Sequence, residues 1–190
     1  MLFIKEMIRA PGVVGAIAPS GRSLSRLMVR EAGVAEAERI VELGPGTGVV
    51  TREILEARKP GSKLMLLEHN SEFVAELSRR GWDARVRQGC ATKLREHAAS
   101  TGLDSVDSVV SGLPWALFKD EFQREILDQV RGLLGKQGRF VSFAYYGPHW
   151  TPAGQHFRRL LEERFPSVRS SRVVLRNFPP AFVYCCSNSQ

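Results

Sequence analysis

Between residues 39 and 186, short apolar runs alternate with segments whose apolar residues recur every three to four positions. Runs at 39–43, 63–68, 84–87, 106–110 and 138–144 predict strands. The intervening 49–57, 71–80, 91–99, 119–134 and 152–164 predict helices. The spacing is clearest over 119–134, where Phe122, Ile126, Leu127, Val130, Leu133 and Leu134 share one face. Pro60-Gly61 separates the first of these helices from the second strand, and Ser71 is the expected N-cap of the next helix. Two last segments, 169–175 and 181–186, read as strands joined by Arg176-Asn177-Phe178-Pro179-Pro180. Regular alternation implies a parallel sheet with helices on both faces, and the closing strand-loop-strand implies an antiparallel hairpin at one edge.

Two amphipathic helices are expected upstream. Over 2–9, Leu2, Phe3, Ile4, Met7 and Ile8 lie broadly on one side and Lys5, Glu6 and Arg9 on the other, until Pro11-Gly12 stops the helix. Over 23–32, Leu24, Leu27 and Met28 face inward, while Arg22, Arg26 and Arg30 face outward. With no repeat, linker or low-complexity stretch, residues 1–190 form one domain, of which 1–35 are a helical extension acting as a membrane or lid element.

Composition changes this picture little, and charge changes it more. The 43% hydrophobic and 25% charged residues are ordinary for a globular domain. No apolar run approaches the roughly 20 residues that span a bilayer, and Lys5, Glu6 and Arg9 break any signal-peptide pattern. Three cysteines, Cys90, Cys185 and Cys186, support neither a disulfide framework nor a zinc site, so a reducing cytosol is expected and no metal. The net charge of +7, mostly arginine, suits phosphate on nucleic acid or on lipid headgroups. Residues 1–30 and 151–190 each carry a local balance of +4. Basic residues bordering an apolar helix face suit a membrane interface, at about 1 kcal/mol each near an anionic surface.

Candidate chemistry centres on Glu42-Leu43-Gly44-Pro45-Gly46-Thr47-Gly48, where an apolar strand ends in a carboxylate and glycines follow at alternate positions. Such a loop lets the backbone approach a ligand, and the helix behind it aims unpaired N–H groups at the same place. The spacing is not G-x-G-x-x-G and no Lys-Ser/Thr follows, which weakens the dinucleotide and P-loop readings. In open α/β sheets, ligands sit beyond the carboxyl ends of the strands. That rule adds Glu68 and His69 after the second strand, with Glu68 placed to accept hydrogen bonds from ribose hydroxyls. It also adds Gly89, Cys90 and Ala91 after the third strand, and Ser111, Gly112, Leu113, Pro114 and Trp115 after the fourth.

The E-x-G-x-G-x-G run resembles motif I of the Rossmann-like, seven-stranded S-adenosylmethionine-dependent methyltransferases. The resemblance implies that Glu42 and Gly44–Gly48 hold the methionine moiety, and that S-adenosylhomocysteine is the product. Methyltransferases of this class commonly place an aspartate where Cys90 stands, bonding the adenine amino group; cysteine is a poor acceptor. Adenine-N6 methyltransferases carry Asn/Asp-Pro-Pro-aromatic after the fourth strand. Here Ser111-Gly112-Leu113-Pro114-Trp115 keeps only Pro114-Trp115 of that shape, so the ribosomal RNA adenine methyltransferase reading becomes the alternative. Four stretches resemble bacterial phospholipid N-methyltransferases related to those RNA dimethylases: Val14–Ser20, the motif I loop, Ser111–Pro114 and Arg176–Tyr184. The resemblance implies transfer of methyl groups to phosphatidylethanolamine, giving phosphatidylcholine. It also implies an enzyme on the inner face of the membrane, with an anionic lipid surface as partner, no nucleic acid and no obligate protein partner. Ser20 joins the cofactor-binding candidates.

An ammonium with a pKa near 10 is only about one part in a thousand neutral at pH 7, a cost of roughly 4 kcal/mol. The enzyme must lower that cost and accept a product that becomes a permanent cation. Aromatic faces do the latter, at roughly 0.5–2 kcal/mol each. Trp115, Tyr145, Tyr146, His149 and Trp150 follow strand ends on the expected ligand side, and Tyr146, His149 and Trp115 are the catalytic candidates. Arg176 and Asn177 are the candidates for a lipid phosphate.

Overall fold

The computed structural model describes residues 21–189. The expected helix over 2–9 and the candidate Ser20 lie outside them. The chain enters helix α1 (Arg22–Glu31), then alternates: β1 (Arg39–Leu43), α2 (Val49–Ala57), β2 (Lys63–Glu68), α3 (Ser71–Arg79), β3 (Arg85–Gln88), α4 (Leu94–Ala99), β4 (Val106–Ser111), α5 (Asp120–Leu133), β5 (Leu134–Tyr145), α6 (Pro152–Arg164), β6 (Ser167–Ser170) and β7 (Ala181–Ser187). One seven-stranded sheet runs β3-β2-β1-β4-β5-β7-β6. Neighbours from β3 to β5 pair in parallel, while β7 is antiparallel to both β5 and β6. This is the expected Rossmann-like methyltransferase sheet with its antiparallel edge hairpin.

The central strands are covered on both sides, which is why they read as continuous apolar runs. On one face Leu24, Leu27 and Met28 of α1, Val50 and Ile54 of α2, and Leu77 of α3 pack against Ile40, Leu64, Leu66, Val110, Val141 and Val183. On the other, Leu94 of α4, Ile126, Leu127 and Val130 of α5, and Phe157, Leu160 and Leu161 of α6 pack against Val41, Leu43, Met65, Val109 and Phe140.

Three element boundaries moved for local reasons. Asn70, not Ser71, caps α3, because its Oδ1 accepts from the N–H groups of Glu72 (2.7 Å) and Phe73 (3.3 Å). Strand β5 starts four residues early, since Leu134 already pairs with Val106 before the register shifts to Ser108–Arg139. Strand β6 is shorter than 169–175: at Ser171 the side-chain hydroxyl takes the Val183 N–H (2.9 Å), and beyond it only a Val174–Ala181 bridge continues the ladder.

The arginines of α1 are not a free cationic face. Arg22 and Arg26 donate to the two carboxylate oxygens of the buried Glu53 at 2.9 and 3.0 Å, and Arg30 pairs with Glu31. The Arg22 and Arg26 pairs fasten α1 to α2. Arg164 pairs with Asp128, Arg158 with Glu162, and Arg169 with Glu31. Much of the positive charge counted at both ends of the chain is therefore neutralised within the fold.

Candidate active site

Strand order reverses between β1 and β4, and the crevice at such a switch point, beyond the carboxyl ends, is where an open α/β sheet binds its ligand. Backbone hydrogen bonds carry the sheet one residue past its strands here: Gly44 N to Leu67 O (2.9 Å), Gly89 N to Glu68 O (2.9 Å) and Gly112 N to Leu43 O (2.8 Å). Close packing explains two of these glycines. A Cβ on Gly112 would lie 2.7 Å from the Gly44 carbonyl oxygen, and one on Gly89 would lie 2.0 Å from His97 Nε2. Gly46, at φ +52°, has nothing within 4 Å of the place a Cβ would occupy, so its backbone faces open space.

Two carboxyl groups stand under this loop. Glu42 is 1% exposed, and Thr51 Oγ1 donates to its Oε2 at 2.6 Å. Burial pushes the Glu42 carboxyl up to about 8, reinforced by the nearby Glu68 charge and opposed by the Thr51 bond. Glu68 accepts from Gly46 N (3.1 Å) and Asn70 N (2.9 Å), tying the glycine loop to the start of α3. His69 beside it is exposed, while Thr47 stands exposed at the loop's rim. After β3, the half-buried Cys90 accepts a hydrogen bond on sulfur from the Thr92 hydroxyl (3.3 Å), next to Ala91.

The loop after β4 is held from inside. The Ser111 hydroxyl oxygen, fully buried, accepts from Trp115 Nε1 (3.1 Å) and Leu113 N (3.3 Å), and Gln123 Nε2 donates to the carbonyls of Trp115 and Phe118. Trp115 is 3% exposed, stacked on Phe157 at 4.8 Å and edge-on to Phe140. It anchors the loop and presents no face to a substrate, which corrects its expected role at the amine.

Across the crevice, Tyr146, His149 and Trp150 form an open cluster with ring centroids 4.7–5.1 Å apart, and His149 also meets Phe182 edge-on at 5.0 Å. Gly147 N donates to His149 Nδ1 (3.1 Å), so the neutral ring carries its proton on Nε2 and offers a donor there. Its other ring nitrogen is thereby engaged by the backbone. Tyr146 N bonds Pro180 O (2.8 Å), joining this cluster to the β6–β7 connection. Asn177 is buried there: its Oδ1 accepts from Gly21 N (2.8 Å) and its Nδ2 donates to Pro179 O (2.7 Å). It is a clamp: both side-chain polar atoms are engaged within the fold, which corrects its expected role at a phosphate. Arg176 beside it is exposed.

No family model matches the chain. It is similar to an ornithine lipid N-methyltransferase of Singulisphaera acidiphila, at 31% identity over 97% of this chain and 94% of that protein. The chain belongs to the class I S-adenosylmethionine-dependent methyltransferases, in the family of that lipid enzyme. A ribosomal RNA small subunit methyltransferase A of Methylococcus capsulatus is also 31% identical, over 71% of this chain, which spans about half (49%) of that protein. Among solved structures, an O-methyltransferase of Bacillus cereus in complex with S-adenosylhomocysteine superposes with a TM-score of 0.67 at 13% identity, covering 97% of this chain and 88% of that one. That likeness shows the shared fold.

For a class I methyltransferase the residues present fit the cofactor. The open backbone at Gly46, the carboxylate of Glu68 at its edge and the start of α2 behind Gly48 make a cradle with room on one side. Among the described residues there is no group of three or more His, Cys, Asp or Glu that could hold a metal ion, and no helix is long and apolar enough to cross a membrane. Sequence reasoning missed Thr51, His97 and Trp82, whose ring lies 2.7 Å from where a Cβ on Gly48 would stand. Thr51 lies within the helix after the glycine loop, and its link to Glu42 leaves no local signature. Trp82, an aromatic just before the third strand, was the one visible hint.

Proposed function

We propose that this enzyme transfers methyl groups to the amine of phosphatidylethanolamine and its mono- and dimethyl derivatives, yielding phosphatidylcholine. The observation that carries this reading is the aromatic cluster of Tyr146, His149 and Trp150, open to solvent at Tyr146 and Trp150, at the same sheet end as a β4 loop with no Asn or Asp at positions 111–114. A flipped adenine needs fixed polar partners for its amine. An amine gaining methyl groups loses donors at each step, and aromatic faces stabilise the resulting cation at every stage, by roughly 0.5–2 kcal/mol each.

S-adenosylmethionine, when bound, supplies an electrophilic methyl group. In this reading Glu42, Gly44, Gly46, Thr47 and Gly48 hold its methionine end, Glu68 and His69 its ribose, and Gly89, Cys90, Ala91, Gly112 and Leu113 frame its adenine. Ser111 acts behind them by fixing Leu113. Tyr146 and His149 orient the acceptor amine, with His149 Nε2–H as a donor toward the headgroup. The amine proton leaves to water through the open side of the mouth, and Arg176 meets the lipid phosphate. The enzyme works at the cytoplasmic surface of the membrane.

A second reading takes an amino-acid lipid headgroup as acceptor, supported by the name of the relative that matches 97% of the chain. Labelled cofactor with vesicles of phosphatidylethanolamine, of ornithine lipid, or with undermethylated ribosomal RNA separates the readings. Label in phosphatidylethanolamine supports the first. Label only in ornithine lipid, or only in RNA, replaces it.

A further inference from the structure

Four large apolar side chains are left exposed among the described residues: Tyr146 (43%), Trp150 (62%), Leu175 (78%) and Phe178 (88%). All four come from two connections, the one leaving β5 and the one entering β7. Both connections lie at the ligand end of the sheet, because β7 runs against β5 with Tyr145 opposite Ala181. Scattered exposed hydrophobics need no explanation, whereas large ones confined to the mouth of a site mark a surface that something covers.

The geometry keeps these residues outward. Asn177 turns its side chain into the fold, and Pro179-Pro180 follow it, so the flanking Arg176 and Phe178 face solvent. Tyr146 N bonded to Pro180 O holds the two connections side by side. Charge points the same way. Arg22, Arg26, Arg30, Arg158, Arg164 and Arg169 are spent in ion pairs, while the exposed Arg172 and Arg176 have none among the described residues. Free cations thus remain beside the exposed apolar side chains.

We propose that Leu175, Phe178 and Trp150, framed by Arg172 and Arg176, form a bilayer-inserting edge that docks the enzyme on an anionic phospholipid surface with its mouth toward the headgroups. The apolar tips enter the acyl boundary, Trp150 and Tyr146 occupy the interface that aromatic side chains favour, and the guanidinium groups meet lipid phosphates. This rests on the reading that the acceptor amine belongs to a lipid, since it explains how a site at the sheet end reaches a headgroup without extracting the whole molecule.

The test uses the full chain, vesicles of phosphatidylethanolamine and phosphatidylglycerol, and the variants L175E/F178E and L175A/F178A. Both sites are exposed, so thermal unfolding should match the parent. Vesicle partitioning should fall by about tenfold or more for the glutamate pair and less for the alanine pair. Turnover of a dispersed short-chain phosphatidylethanolamine should stay within about twofold, since neither residue lies in the cradle. Brominated acyl chains should quench Trp150, the exposed tryptophan, and W150F should abolish that quenching. Unchanged partitioning of L175E/F178E overturns the proposal, as does self-association that the double variant abolishes while vesicles are not bound. If the parent binds and the variant does not, yet no lipid is methylated, the edge stands and the substrate reading falls.

Discussion

The Thr51 hydroxyl donates a 2.6 Å hydrogen bond to Glu42, a carboxyl at the end of β1 that burial pushes up to about 8. At neutral pH Glu42 is therefore mostly protonated in the free protein. In the unfolded chain it ionises near 4.5, so its contribution to stability is fully present below that value and is lost as pH rises toward 8.

Glu42→Gln should remove that loss. Urea unfolding of the parent should weaken between pH 4.5 and 8 by on the order of 4 kcal/mol more than that of the variant. Parallel pH profiles for the two proteins would show that Glu42 is not held protonated.

Thr51→Val keeps the shape and removes the donor. It should cost about 1–2 kcal/mol in urea unfolding at pH 8, where Glu42 is half ionised, and less at pH 5. An equal cost at both values would assign the loss to packing.

Glu68→Ala should weaken S-adenosylmethionine binding by about 1–3 kcal/mol in isothermal titration, the scale of a charge-assisted contact. It also frees Gly46 N and Asn70 N, so part of that effect should appear as lower thermal stability without ligand. An unaltered dissociation constant would remove Glu68 from the cofactor site.

Two glycine substitutions should behave differently. Gly89→Ala collides with the His97 ring, so it should destabilise by roughly 1–3 kcal/mol and be rescued by His97→Ala in the same chain. Gly112→Ala collides with a backbone carbonyl that no side-chain truncation can move, and should stay defective in that background.

Asn177→Ala leaves Gly21 N and Pro179 O without their partner, and should lower thermal stability by about 1–3 kcal/mol while sparing cofactor affinity. A selective loss of lipid turnover with full stability would instead return Asn177 to the phosphate.

The cradle was legible because its chemistry is local. A strand, an acid and alternating glycines lie within nine consecutive residues from Ile40 to Gly48, and periodicity alone places Glu68, Gly89 and Ser111 at neighbouring strand ends. The mouth was less legible because its assignments depend on distant partners. Trp115 and Trp150 read alike as aromatics after strand ends, yet Phe157 stacks on the buried Trp115 while Trp150 stays 62% exposed at the rim of its cluster with Tyr146 and His149. Asn177 looks available until Gly21, 156 positions away, is seen to occupy it. The arginines of α1 looked like a lipid-facing stripe for the same reason, since Glu53 lies a strand and a turn further along the chain.

The cross-strand bonds from Gly44, Gly89 and Gly112 have a thermodynamic consequence. They make the floor of the proposed cofactor cradle an extension of the sheet, its backbone already paired among the described residues before ligand arrives. Association at that half of the crevice should carry little conformational-entropy penalty, so a measured heat of cofactor binding reports contacts made rather than loops fixed. Under the proposed function, ordering during the reaction would then fall on the acceptor side, where Tyr146, Trp150, Leu175 and Phe178 are exposed.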